Sequence, residues 1–143
     1  MKALSVTRVF LPDTAEVRGL RSWLMEQMDD AAVPQEMHFR VQLCAEELFT
    51  NLLMHASWPQ GPQPVKVTLA CGQERLRLLL LDRAQPFHPD RAPKQAACSS
   101  VDAAPVGGLG IKLVRDFSEH LLYASDACGN RTEVSFKPRD AGR

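Results

Sequence analysis

The chain has 143 residues, 45% of them hydrophobic, and its 17 basic and 17 acidic side chains cancel to a formal net charge of zero. That length supports one domain around one continuous core, and the charge balance leaves no electrostatic footprint for duplex DNA or an anionic bilayer. Apolar runs such as Leu78–Leu81 fall far short of the roughly 20 residues that cross a membrane, and the opening MKALSVTRVF lacks the long apolar region of a signal peptide, so a cytoplasmic location is expected.

Leu4–Phe10 alternates well enough for a strand, which Pro12-Asp13 ends. Asp13 or Thr14 is placed to cap a helix carrying Val17, Leu20, Leu24 and Met28 at three- and four-residue steps. Pro34 opens a longer second helix through Phe39, Leu43, Leu48 and Leu52, expected to close near Ser57-Trp58-Pro59. After the turn Gln60–Pro64, Val65–Leu69 and Leu76–Leu81 read as paired strands joined around Cys71–Glu74. From Asp82 to Val106 the composition turns to proline, alanine, serine and charge; so long a structureless connection is uncommon inside a compact domain, and a mobile lid over about 83–106 is the favoured reading. A third helix follows through Ile111, Leu113, Val114 and Phe117. Strands at His120–Ser125 and Thr132–Phe136 flank the turn Ala127–Asn130, and residues 138–143 are expected to be disordered.

Cys44, Cys71, Cys98 and Cys128 are far apart and form no Cys-x-x-Cys pair, so buried free thiols are expected. His38, His55, His88 and His120 are equally scattered, and a structural zinc site is not expected.

Three stretches carry chemistry. In AEELFTNLLMHA on the second helix, Glu47, Asn51 and His55 recur at steps of four and share one face. Such a stripe is either a solvated helix face or a carboxylate that takes a proton beside an amide oxygen that ligates a hard cation. In DRAQPFHP, Asp82 ends a buried-looking run of leucines, where it either closes a turn or accepts a hydrogen bond from the exocyclic amine of a base. In GGLGIKLVRDFSE, three glycines fall within four positions at a helix start. Glycine costs roughly 0.5–1 kcal/mol against alanine in a regular element, and one use for it here is an anion site, where backbone N–H groups and the helix dipole meet phosphate. Neither the P-loop nor the Rossmann pattern is matched.

Taken in order, the three resemble the N-box and the two glycine boxes of the GHKL, or Bergerat-fold, ATPases, and more narrowly the anti-sigma-factor serine kinases of the RsbW type; the resemblance runs from about Val41 to Phe136. It implies a two-layer α/β sandwich, with a mixed, mostly antiparallel sheet, three main helices on one face and an ATP lid. By the same resemblance Asn51 holds Mg²⁺ against the triphosphate and Glu47 activates the attacking hydroxyl, Glu46 having no such role. Asp82 recognises the adenine amino group, Gly107, Gly108 and Gly110 surround the phosphates with Leu109 and Ile111 among them, and Thr132 supports the aspartate through water. His55 lies where a ring can stand beside adenine or simply end the helix, and Arg91 and Lys94 in the lid are within reach of the γ-phosphate or merely solvated.

Two positions depart from the family pattern. Ala84 replaces the glycine of Asp-x-Gly, at a cost of about 1–2 kcal/mol if the backbone there is left-handed and none otherwise; His88 replaces an acidic residue, a minor change. The resemblance further implies a serine/threonine kinase that phosphorylates a STAS-domain anti-sigma-factor antagonist, sequesters an RNA polymerase sigma factor and pairs as a homodimer, with no direct contact to nucleic acid or membrane. The alternative is a nucleotide-binding module that acts by protein interaction alone.

Overall fold

The computed structural model describes residues 1–86 and 108–139, with backbone alone at 108–110. Its elements are β1 (Leu4–Phe10), α1 (Glu16–Asp30), α2 (Gln35–Met54), β2 (Val65–Cys71), β3 (Leu76–Asp82), α3 (Gly108–Phe117), β4 (His120–Asp126) and β5 (Gly129–Phe136). The strands make one sheet in the order β1-β2-β3-β5-β4, and each neighbouring pair is antiparallel. This is the expected α/β sandwich, its sheet antiparallel in every pair among the described residues where a mixed, mostly antiparallel one is expected.

Period-two alternation builds the inner face of the sheet. Val65, Val67 and Leu69 of β2, Leu76, Leu78 and Leu80 of β3, and Val134 and Phe136 of β5 are buried in one cluster with Leu20, Leu24 and Met28 of α1, Met37, Val41 and Phe49 of α2, and Ile111 and Val114 of α3. Phe10 joins the layers, its ring set edge-on to Trp23 at 5.8 Å and to Phe49 at 6.3 Å between centroids. Each fully buried leucine or phenylalanine contributes roughly 1.5–3 kcal/mol. The opposite face carries polar and charged pairs, among them Thr7 with Thr68 at 2.8 Å and Arg131 with Glu133 at 3.6 Å.

Local differences from the sequence reading have local causes. Asp13 does not cap α1 directly: its Oδ1 accepts the N–H of Ala15 at 2.9 Å, a turn that delivers the chain to a helix starting at Glu16. Pro34, with φ −55° and ψ 140°, stands just before α2 instead of inside its first turn. That helix ends at Met54, earlier than expected, with the N–H of His55 bonded to the carbonyl of Asn51 at 2.9 Å. Gly129 and Asn130, expected in a turn, are the first residues of β5, because the hairpin closes on Ala127 and Cys128 with Asp126 paired to Gly129.

Near the end of the described residues the chain is tied to α2 and α3. Arg139 donates its N–H to Glu36 Oε2 at 2.8 Å and its guanidinium to the Asp116 carbonyl at 3.1 Å. Residues 140–143, like Cys98, lie outside the described residues. Cys44, Cys71 and Cys128 are free thiols as expected; the first two are buried, but Cys128 at the hairpin tip is exposed. No helix among the described residues is long and apolar enough to cross a membrane.

Candidate functional site

Along β3 and β5 the inner face changes from apolar to polar. Leu76 pairs with Phe136 and Leu78 with Val134; then Leu80 pairs with Thr132, and finally Asp82 with Asn130. The polar end of this face, the last turns of α2 and the beginning of α3 enclose a cavity of about 280 Å³. Asn51 and His55 from α2, Asp82 and Ala84 from the end of β3, Ile111 from α3 and Thr132 from β5 all line it. Six expected site residues from four elements thus share one cavity. Two of its wall residues are joined where the N–H of Gln85 donates to the Ser57 carbonyl at 2.8 Å, tying the segment after β3 to the connection that leaves α2.

Glu47 stands apart. It is half-buried one turn before Asn51 but is not part of the cavity wall, because the cavity sits against the C-terminal turns of α2. The stripe read from the sequence therefore divides into two residues in the cavity wall and one outside it. Glu46 faces away and pairs with Arg21, whose Nε donates to it at 2.8 Å. The glycine run begins α3 at Gly108, so Gly108, Leu109 and Gly110 form its first turn, where orphan N–H groups and the positive dipole end lie. Gly107, His88, Arg91, Lys94 and the rest of the expected lid from residue 87 lie outside the described residues.

Asp82 is 5% exposed and held by a closed set of hydrogen bonds. Its Oδ1 accepts the N–H of Ala84 at 2.9 Å and one hydrogen of the Asn130 amide, Nδ2 at 2.7 Å. The same Nδ2 donates to the Ala84 carbonyl, also at 2.7 Å. Burial pushes the Asp82 carboxyl above its ordinary range, and the bonds from Asn130 and from the Ala84 N–H pull it partly back. Ala84 itself is unstrained: Ala32, at φ 55°, is the non-glycine residue with positive φ among the described residues. The penalty attached to a left-handed alanine therefore does not arise.

Asn51 brings an unmet demand, since its Nδ2 is buried and has no hydrogen-bond partner. A buried amide without a partner costs stability unless a ligand satisfies it. Among the described residues no three His, Cys, Asp or Glu side chains converge as a metal site. The orphan Nδ2 is a donor that an acceptor such as a phosphate oxygen would satisfy, and Asn51 Oδ1 is the atom of this side chain that could ligate a hard cation. Cys44 of the same helix is buried, and burial pushes its thiol up to about 12, Arg40 offsetting part of the rise and Glu47 adding to it.

Among the wall residues outside the sequence reading of the site are Tyr123 and Asn130. Tyr123 lines the cavity from β4 opposite Thr132, and Asn130 was assigned to a turn. Only the β3–β5 register brings Asn130 against Asp82, and 48 positions of sequence separate them; no local signal marks either residue.

The family described as histidine kinase-like ATPase domain matches residues 10–136. The serine/threonine-protein kinase BtrW of Bordetella bronchiseptica is 31% identical over 87 residues, which cover 61% of this chain and 61% of that relative's length.

Proposed function

Because the chain belongs to the histidine kinase-like ATPase domain family, we propose that it binds Mg-ATP in this cavity and transfers the γ-phosphoryl group to a serine or threonine of a STAS-domain anti-sigma-factor antagonist. The same protein, as a homodimer, would hold an RNA polymerase sigma factor, and phosphorylation of the antagonist would leave it free to do so. The observation that carries the reading is the meeting of Asn51, Asp82 and Thr132 in one cavity. The similarity to a protein named as a serine/threonine kinase supports the phosphoryl-transfer part, and the sigma and antagonist partners rest on the sequence resemblance.

In this reading the base enters against Asp82, whose carboxylate accepts its amino group, while Thr132 supports that aspartate through water. His55 flanks the base, and the first turn of α3, with Gly107 before it, Gly108, Leu109 and Gly110, receives the phosphates. Asn51 would hold magnesium, which supplies charge neutralisation at the phosphate oxygens. Glu47, one turn before Asn51 on the same helix, accepts the proton of the attacking hydroxyl. Positioning and electrostatic stabilisation carry most of phosphoryl transfer, so one carboxylate beside a rigid nucleotide site suffices.

A second reading, a nucleotide-binding module without transfer, is favoured by one observation: Glu47 is absent from the cavity wall. Incubation with γ-labelled ATP and a STAS-domain antagonist separates the two. Label on the antagonist is expected, falling at least about 100-fold in Glu47→Ala, as for loss of a general base, with ATP affinity within about threefold of wild type. Stable ATP binding without labelled product moves the conclusion to the module. If millimolar Mg-ATP leaves the melting temperature unchanged, both readings fail, because a ligand selective for the folded state must stabilise it.

A further inference from the structure

We propose that Asn130 is a positioning residue for nucleobase selection: it commits one oxygen of Asp82 to the protein and leaves the other as a pure acceptor, so that the site takes 6-aminopurines and refuses 6-oxopurines. This rests on the nucleotide reading of the cavity, in which Asp82 meets the amino group of the base, and adds to it the residue that positions Asp82.

The argument begins with valence. A carboxylate oxygen is well satisfied by two donors, and Asp82 Oδ1 has two, the Ala84 N–H at 2.9 Å and Asn130 Nδ2 at 2.7 Å. Oδ2 receives no hydrogen bond from the described residues, and Asp82 lines the cavity. An acceptor with no donor of its own binds a base that presents an amino hydrogen and repels one that presents a carbonyl.

Asn130 also holds the turn that shapes this acceptor. Its second amide bond, to the Ala84 carbonyl at 2.7 Å, fixes the 82–84 turn on both sides of residue 83. The family pattern has a glycine at position 84, and here a buried alanine occupies it without left-handed backbone. The side chain reaches across because β5 approaches β3 closely at this point: a Cβ on Gly129 would lie 2.5 Å from the Asp82 carbonyl oxygen. The strand register sets Asn130 directly opposite Asp82.

The test uses the 143-residue chain and two probes, ATP and purine riboside 5′-triphosphate, which lacks the 6-amino group. Wild type is expected to prefer ATP by about 10–100-fold, the range of one hydrogen bond to a charged group. In Asn130→Ala that preference should collapse to within about threefold, with affinity for the purine riboside triphosphate little changed. Equal loss for both ligands would mean that Asn130 serves only the fold, and would overturn the proposal. Absence of any preference in wild type would also overturn the proposal, whereas failure of both triphosphates to bind would overturn the nucleotide reading itself, a distinguishable result. Should the alanine variant not fold, the wild-type protein answers alone: the Asn130 side-chain amide resonances must shift when ATP, but not the purine riboside triphosphate, occupies the cavity. Resonances indifferent to both overturn the proposal.

Discussion

Asp82 shows how one residue can weaken the fold and serve the site. Burial raises its carboxyl above the unfolded-state value of about 3.9, the bonds from Asn130 and Ala84 only partly offsetting it. Between the two values the folded chain keeps a proton that the unfolded chain has lost. The contribution of this group to stability is therefore fully present below about pH 3.9 and is lost as pH rises through the raised folded value. Binding runs the other way, because the proposed contact to an amino group needs the ionised oxygen. ATP affinity should fall as pH falls through the raised value, earlier than an ordinary carboxylate would allow. Asp82→Asn should bind ATP about 10–100-fold more weakly at neutral pH and lose this acid limb, and the difference between the two calorimetric pH profiles isolates Asp82 from titration of the phosphates.

At the scale of elements, the β4–β5 hairpin and the end of α2 set the site between them. Gly129 has φ +127°, a conformation side chains rarely adopt, and an added Cβ would strike the Asp82 carbonyl at 2.5 Å. Gly129→Ala should therefore cost roughly 1–3 kcal/mol in backbone strain. It should also push β5 from the end of β3, so that thermal unfolding and ATP affinity decline together. Helix α2 acts through where it stops. Ending at Met54, it puts Asn51 in its last turn and His55 at its cap, both in the cavity wall. A helix running on to Ser57 would have replaced the carbonyl that now receives the Gln85 N–H.

For the whole molecule, the layers must be locked together for four elements to share one cavity, and Arg40 is the lock far from the site. It is 4% exposed, pairs with Glu36 one turn back at 3.1 Å, and donates to the carbonyls of Phe117 at 3.3 Å and Lys137 at 2.8 Å. One guanidinium thereby joins α2 to the last residue of α3, where a cation also suits the helix dipole, and to the chain leaving β5. Arg40→Ala strands these carbonyls, and the expected loss is about 2–4 kcal/mol in urea unfolding. The altered seating of α3 should weaken ATP binding, although Arg40 lies outside the cavity wall.

What could be read from the sequence was whatever depends on near neighbours. The alternation of Val65–Leu69 and the leucine run at Leu76–Leu81 announce strands with a buried face, and the steps of four from Asn51 to His55 announce a shared helix face. The order of the Asn, Asp and glycine motifs carried the family, and Asn51, His55, Asp82, Ala84, Ile111 and Thr132 all proved to share one cavity. Tertiary structure alone decided that Glu47 stays outside the cavity wall, that Ala84 needs no left-handed backbone, and that Asn130 closes on Asp82. Each depends on strand register or on where a helix ends against its neighbours. Those are set by the packing of segments far apart in the chain, and no periodicity within a segment encodes them.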